Sequence, residues 1–524
     1  MRIRSLRSRR PERPPHRRME AAARRALASV RWGTVRTRGS TLRPGATRFV
    51  RPARHLATTS ALSKVQLDIR AIVADPDAAV ANVRARRTGE HVADSVPRIV
   101  ELHGAVLEMK ATDTTLRTER KRLGKRGGKG TDEERAATAE RGKQVKLELS
   151  ELGAALEAAE AELTGLAAEL PNALHPAVPI GGEEANVLLG TSSQRGGAER
   201  AAFDFPPKDH VEIGSELGLF DFASAAVVSG SKFVCMTGQG AMLELALITY
   251  AMQTMAARGY SPVLTPDLVR QSVVAACGFA PRGPHTQIYE VTGTGLALAA
   301  TAEAPLAGMF SGQRIPHESL PVKKVGFGHC FRTEVGARGA DVRGLYRLHQ
   351  FSKVELFAVA APEQSEAVLE DLLLASESLL QELGLAYRVL EMASAELGSP
   401  AQRKYDIEAW MPGRTAGEGE GEGEGEGEGD DGTPVSSAPG RYGEVASISN
   451  CTDYQARRLN IRAINPAGEK GSQFAHTLNG TAIAVPRVIL ALLETHQQAD
   501  GSVVVPEVLR PFLGGRDVLT PDNS

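Results

Sequence analysis

The chain has 524 residues, several times the ~150 of an average domain, so two to four domains are expected. Hydrophobic residues at 42% and charged residues at 24% permit a large core and exclude global disorder. Its formal net charge is only −1, no run approaches the ~18 uninterrupted apolar residues of a membrane span, and the four cysteines form no CxxC pair. A disulfide scaffold is excluded by that spacing, and a zinc site is not expected.

The first element is a basic leader. Residues 1–63 hold 17 Arg, no Lys, and only Glu12 and Glu20 as acids, which leaves 45 basic against 61 acidic residues beyond them, a net of −16. An Arg-rich, acid-poor segment containing Ser and Thr has the composition of a mitochondrial transit peptide. Such a segment is attracted by anionic membranes and by a potential that is negative inside. Residues 1–60 are therefore expected to be removed, with the mitochondrial matrix as destination. A nucleic-acid-binding arm is the weaker reading, since Pro11, Pro14 and Pro15 break the segment and no nuclear-type Lys/Arg block is present.

Residues 64–172 read as a helical arm. A short preamble, Lys64 to Arg87, precedes a long helix on which Ile99, Leu102, Val106 and Met109 hold a 3-4-3 spacing that Leu116 and Leu123 continue. Gly124–Gly130 is expected to break it. A second helix follows, with Val145, Leu149, Leu152, Leu156, Ala159, Leu163, Leu166 and Leu170 in unbroken 4-3 alternation, ended by Pro171. Two such helices joined by a glycine-rich turn predict an antiparallel coiled-coil hairpin about 45 Å long. Near the turn Arg117, Arg120, Lys121, Arg122, Lys125, Arg126 and Lys129 face a single acid, Glu119. In a chain otherwise acidic, that cluster is an address for a nucleic acid.

From residue 173 onward the texture changes to strands, turns and amphipathic helices, with helices expected over 243–257 and 364–383 and strands over 322–331, 353–360 and 405–410. Residues 413–440 form a low-complexity loop of alternating Gly and Glu that cannot pack a core. Three segments carry chemistry. The first is Arg258-Gly259-Tyr260 followed by Pro262 and Pro266. The second is Phe331-Arg332-Thr333-Glu334, a 14-residue loop, then His349-Gln350-Phe351 and Glu355. The third is Leu478-Asn479-Gly480-Thr481, continuing through Val485-Pro486-Arg487 into a helix. One Arg closing a strand and another opening a late helix suit a polyphosphate gripped at two ends.

In order and spacing these segments resemble motifs 1, 2 and 3 of class II aminoacyl-tRNA synthetases, and the chain from about Leu67 resembles seryl-tRNA synthetases, in particular mitochondrial ones of fungal type. Thr301-Ala302-Glu303, Tyr405-Asp406-Ile407-Glu408, Gly443 to Ser447 and His476 to Gly480 extend the likeness. The resemblance implies an α+β catalytic domain (173–524) with a central antiparallel sheet of six or seven strands flanked by helices. It also implies a homodimer through motif 1, with no membrane partner, and an arm that binds tRNA(Ser). It implies ATP bound by Arg332, Thr333, Glu334, Leu348, Phe351, Glu444, Val445, Ala446, Ser447 and Arg487, with Glu444 and Ser447 holding Mg²⁺. L-serine would lie against Thr301, Ala302, Glu303, Arg332, Glu355, Asn479 and Thr481, with Arg332, Glu334 and Arg487 the catalytic side chains. A synthetase-like tRNA-binding paralogue without activity is the alternative. Ala446, Ala482 and Pro486 depart from the family pattern without removing a functional side chain.

Overall fold

The computed structural model of the protein describes residues 65–126, 130–279, 287–334, 343–413, 441–466 and 469–521. All of these fall within one compact unit, Ala61–Ser524. The transit peptide expected over 1–60, Lys129 of the basic cluster and residues 414–440 of the Gly/Glu loop lie outside the described residues.

The arm opens with α1 (Ile69–Ala74) and α2 (Pro76–Ala85). Asp75 caps α2 by accepting the Ala78 N–H at 2.9 Å, and Pro76 takes the first helical position, where no donor is lost. The hairpin is α3 (Glu90–Arg126) and α4 (Asp132–Glu169). At 37 and 38 residues each arm is about 55 Å long, longer than the sequence reading gave. Two differences explain this. The helix begins before Pro97 and runs through it, because burial of Val92, Ala93 and Val96 offsets the lost hydrogen bond. Gly124 also remains helical, so the first helix ends later than its glycines suggested. A capping box of Thr131 and Glu134 starts α4. Ion pairs Arg98–Glu162 (2.8 Å) and Glu119–Arg141 (2.9 Å) run in opposite chain order, so the helices are antiparallel. Their shared core, from Ile99, Leu102 and Val106 against Leu163 and Ala167, lies at the base, where α1 and α2 also pack.

Beyond the arm, the described residues form a central sheet of eight strands: β1 (Val187–Thr191), β2 (Ser261–Leu264), β3 (Val322–Phe331), β4 (Gln350–Ala360), β5 (Tyr387–Glu391), β6 (Arg403–Met411), β7 (Arg441–Asn450) and β8 (His476–Ala484). Their order is β1-β5-β6-β7-β8-β4-β3-β2. All neighbours are antiparallel except β2 and β3. The expected six or seven strands are thus corrected to eight: a six-stranded antiparallel centre gains a short strand at each edge.

One face of the sheet packs on α5 (Gly238–Ala257), α6 (Ser365–Glu382) and α7 (Val485–His496), and the other on a second apolar cluster. The alternation of β4 shows both. Val354, Leu356, Ala358 and Ala360 enter the first core, while Phe357 and Val359 enter the second. The odd-numbered residues before them, Phe351, Lys353 and Glu355, line a cavity instead.

The arm is fastened beside that cavity. Buried Arg86, at the end of α2, donates to the Gly398 carbonyl at 3.2 Å and to that of Ala401. Asn172, after the helix-ending Pro171, donates to the carbonyls of Pro400 and Cys451 at 2.9 Å each. Among the described residues no helix is long and apolar enough to cross a membrane.

Candidate active site

The cavity encloses about 550 Å³ over the sheet face that β4, β7 and β8 share. Two strand irregularities shape it. Glu444 and Ser447 stand three apart and would point to opposite faces of a regular strand. The register between β6 and β7 pairs Ile407 with Ala446 but Glu408 with Glu444, so Val445 is an extra residue. That bulge returns Glu444 and Ser447 to one face, where both line the cavity. On β8 the pairing of Val354 with Ile483 and Glu355 with Thr481 leaves Ala482 extra, which keeps Asn479, Thr481 and Ala484 together on the cavity side.

At one end the cavity is small and polar. Thr301 donates its hydroxyl to Glu355 at 3.1 Å, and Lys353 Nζ stands 2.5 Å from Glu355 and 3.4 Å from Thr301 Oγ1. Glu303 Oε1 accepts from Gln455 at 2.6 Å and Asn479 at 3.1 Å. Burial, reinforced by the neighbouring Glu355 charge, pushes the Glu303 carboxyl up to about 7. Burial also raises Glu355, with Lys353 pulling against it. Thr481 completes this end. A small ammonium-bearing, hydroxylated ligand suits these acceptors.

The other end is cationic and aromatic. The Arg332 guanidinium lies 5.2 Å from the Phe351 ring centre and is steadied by the Ala300 carbonyl at 3.3 Å. Arg487, the third residue of α7, pairs with Glu444 at 3.1 Å, lies 4.5 Å over the Tyr346 ring and donates to the Tyr346 carbonyl at 3.2 Å. Pro486 is tolerated at the second helical position, in the first turn, where an amide proton has no intrahelical acceptor. Glu334 adopts a left-handed backbone with φ +47° and pairs with Arg347 at 2.7 Å. Burial alone would raise the Glu444 carboxyl, but Arg487, Lys404 and Arg332 outweigh it and hold it below the usual carboxylate range. Nearby Asp406, paired with Lys404 at 2.9 Å, is raised by burial, and its Oδ1 is buried without a hydrogen-bond partner.

Of the residues expected from sequence, Thr301, Glu303, Arg332, Glu334, Leu348, Phe351, Glu355, Glu444, Val445, Ser447, Asn479, Thr481 and Arg487 line this one cavity. Ala302, Thr333 and Ala446 do not. Ala302 is buried in the second core and Ala446 in the first, because each neighbours a cavity residue on the opposite side of the backbone. Six of the seven arm residues are described and stand apart: Arg117, Arg120, Lys121, Arg122, Lys125 and Arg126 are exposed on the distal half of α3, and Arg117 is paired with Asp113 at 2.5 Å. Tyr346, Arg347, Lys353 and Lys404 also line the cavity and were missed, as was Asp406, the partner of Lys404. Alternation on β4 and β6 signals the last three, whereas nothing in the 14-residue loop singles out the first two. Cys277 and Cys451 also reach the cavity, but burial raises both thiols, and all four cysteines are free.

A sheet of this order, with an arginine leaving β3, another opening α7 and an acidic strand between them, is the core of a class II aminoacyl-tRNA synthetase. The tRNA synthetase class II core domain (G, H, P, S and T) matches residues 289–496, and the seryl-tRNA synthetase N-terminal domain matches residues 67–174. The chain is 46% identical over 383 residues to a serine–tRNA ligase of Rhodopirellula baltica, covering 73% of this chain and 84% of that one. It is 42% identical over 458 residues to the serine–tRNA ligase of Rubrobacter xylanophilus, covering 87% and 99%. A crystal structure of seryl-tRNA synthetase from Pyrococcus horikoshii complexed with ATP superposes with a TM-score of 0.74 at 34% identity, over 87% of this chain and 99% of that one. The chain belongs to the seryl-tRNA synthetase family.

Proposed function

We infer that the protein is an ATP-dependent serine–tRNA ligase, which joins L-serine to ATP as seryl-adenylate and transfers it to the 3′ end of tRNA(Ser). One observation carries the reading: a polar pocket containing Thr301, Glu303 and Glu355 meets, within one cavity, a cationic end built on Arg332 and Arg487. Activation is attack of the serine carboxylate on the α-phosphate, with pyrophosphate leaving. Both reactants are anions, so fixed cations stabilise the more negative transition state, and no general base is needed because the carboxylate is already ionised. Arg332 holds the α-phosphate, Phe351 stacks on adenine, Glu334 reads the adenine amino group and Arg487 reaches the γ-phosphate. Glu303 and Glu355 receive the ammonium and hydroxyl of serine, with Asn479 and Thr481 closing the pocket. The inactive-paralogue alternative is not retained, since Arg332, Glu334, Glu355, Glu444 and Arg487 all line the cavity.

A divalent cation of the Mg²⁺ type fits beside Glu444 and Ser447. The donors are all oxygens, Glu444 stays ionised, and Asp406 carries an unpartnered buried oxygen next to them. Among the described residues no group of three or more His, Cys, Asp or Glu side chains stands together as a metal cage. Such an ion would neutralise charge on the phosphate chain.

The arm binds tRNA through its basic tip, and the protein acts as a homodimer. In support of the dimer, Leu264 on edge strand β2 is 78% exposed, and Met242 and Leu245 on α5 are 51% and 57% exposed. The mitochondrial matrix is its site of action, supported by the composition of residues 1–63. Serine-dependent exchange of pyrophosphate into ATP tests the central claim: folded protein that shows none refutes it.

A further inference from the structure

Three residues of β4 face the cavity at two-residue intervals: Phe351, Lys353 and Glu355. A strand rises ~3.3 Å per residue, so successive Cα atoms of the three stand about 6.6 Å apart. Phe351 lies under Arg332 at the nucleotide end, and Glu355 belongs to the amino-acid end with Thr301. Lys353 therefore stands at the junction of the two, where the serine carboxylate meets the α-phosphate. Its strand neighbours are two small residues, Gly328 on β3 and Ala484 on β8.

At the nucleotide end Arg332 leans on the Ala300 carbonyl, and the remaining cations have carboxylate partners: Arg347 with Glu334, Arg487 with Glu444 and Lys404 with Asp406. Lys353 alone of these pairs lies at the amino-acid end, with Glu355. Its ammonium there makes the two contacts, to Glu355 at 2.5 Å and to Thr301 at 3.4 Å, that suit a substrate ammonium. We propose that Lys353 is a mobile third cation of the activation step, which yields Glu355 to the ammonium of serine and turns to the serine carboxylate and the α-phosphoryl oxygens. The proposal rests on the cavity being a serine-activating site. One ammonium replaces another at Glu355, so the charge of the pocket is conserved and the Lys353 charge is delivered to the reacting atoms. There a carboxylate oxygen bonds to the α-phosphorus, the bond from that phosphorus to the β-phosphate oxygen breaks, and pyrophosphate leaves with the electron pair. A lysine suits this better than an arginine, being a compact charge on a flexible stem.

The test is Lys353→Met, which keeps the stem and removes the charge, assayed by pyrophosphate exchange in the full chain with serinol as a competing inhibitor. Serinol has the ammonium and hydroxyl groups but no carboxylate. The expected result is a kcat about 100-fold lower, the range for removing one group that stabilises charge in the transition state. The serine KM should rise and the ATP KM should stay within about twofold, while serinol inhibits as well as before or better, its rival for Glu355 being gone. Equal weakening of serine and serinol would mean that Lys353 only orders Glu355, and would overturn the proposal. An unchanged kcat in an active preparation would do so too. Should Lys353→Met not fold, Lys353→Arg takes its place: a clear fall in kcat with unchanged serinol inhibition supports the proposal, and parallel loss overturns it. Wild-type protein lacking serine-dependent exchange would overturn the underlying reading as well.

Discussion

Removing the distal half of the arm separates tRNA recognition from serine activation. The base of the hairpin must stay, because Ile99, Leu102, Val106 and Met109 pack there against Leu156, Ala159, Leu163 and Ala167. The cut therefore runs from Lys110 to Ala155. Packed helices lie about 8–10 Å apart, so four Gly/Ser residues bridge the ends. The deletion removes Arg120, Lys121, Arg122, Lys125, Arg126 and Lys129, together with the already neutralised Arg117. If four of these charges meet phosphates, the slope of log affinity against log salt is about −3.6, worth about 100-fold between 50 and 200 mM salt. The shortened protein should keep pyrophosphate exchange within about twofold of the full chain. It should aminoacylate tRNA at least ~100-fold less efficiently, and its tRNA binding should lose about 3.6 units of salt slope. Parallel loss of exchange and aminoacylation, in protein that melts like the full chain, would refute the division of labour.

Three other outcomes follow from the cavity and its wall. Glu355→Ala should raise the serine KM roughly 10- to 100-fold with little change in the ATP KM, as expected for a lost charge-assisted contact; equal effects on both substrates would count against its place in the amino-acid pocket. Because the Glu303 carboxyl is raised to about 7, it is protonated below that pH and ionised above it, so the serine KM should rise about tenfold per unit as pH falls below 7 and level off above it. Glu303→Gln should abolish that dependence, and a profile unchanged by the substitution would dismiss the role. Arg86→Ala strips partners from the carbonyls of Gly398 and Ala401 and leaves a hole, so unfolding free energy in urea should fall by about 2–6 kcal/mol; a loss under 1 kcal/mol would show that solvent replaces it.

How much of this was legible in the sequence depends on the length scale of each cause. The hairpin was, since its heptads are local, and the helices and strands around motifs 2 and 3 fell within a few residues of their expected places. The bounds of α3 were not: Pro97 and Gly124 speak for a break, and only the packing of α1 and α2 decides at Pro97. Most of the cavity was also legible, because its residues sit in short motifs. Ala302 and Ala446 turn their side chains into the two cores instead, since a motif names neighbours but does not say which face each presents. Lys353 and Asp406 could have been found by asking which residues alternate with Glu355 on its strand and with Glu408 on the strand beside Glu444. The bulges at Val445 and Ala482 depend on the pairing of distant strands, which no local pattern encodes.

The clamp of Arg86 and Asn172 on the loop Gly398–Ala401 bears on how this protein can be recombined. The arm looks like a detachable module, yet its root supplies donors to a wall of the catalytic cavity. A chimera that imports a foreign arm at the Leu170-Pro171-Asn172 junction keeps Asn172 but loses Arg86, and leaves that loop holding carbonyls shaped for an absent guanidinium. Successful grafts will be those joined within the hairpin, beyond Met109 and before Leu156, or those that carry the 398–401 loop of the donor along with its arm.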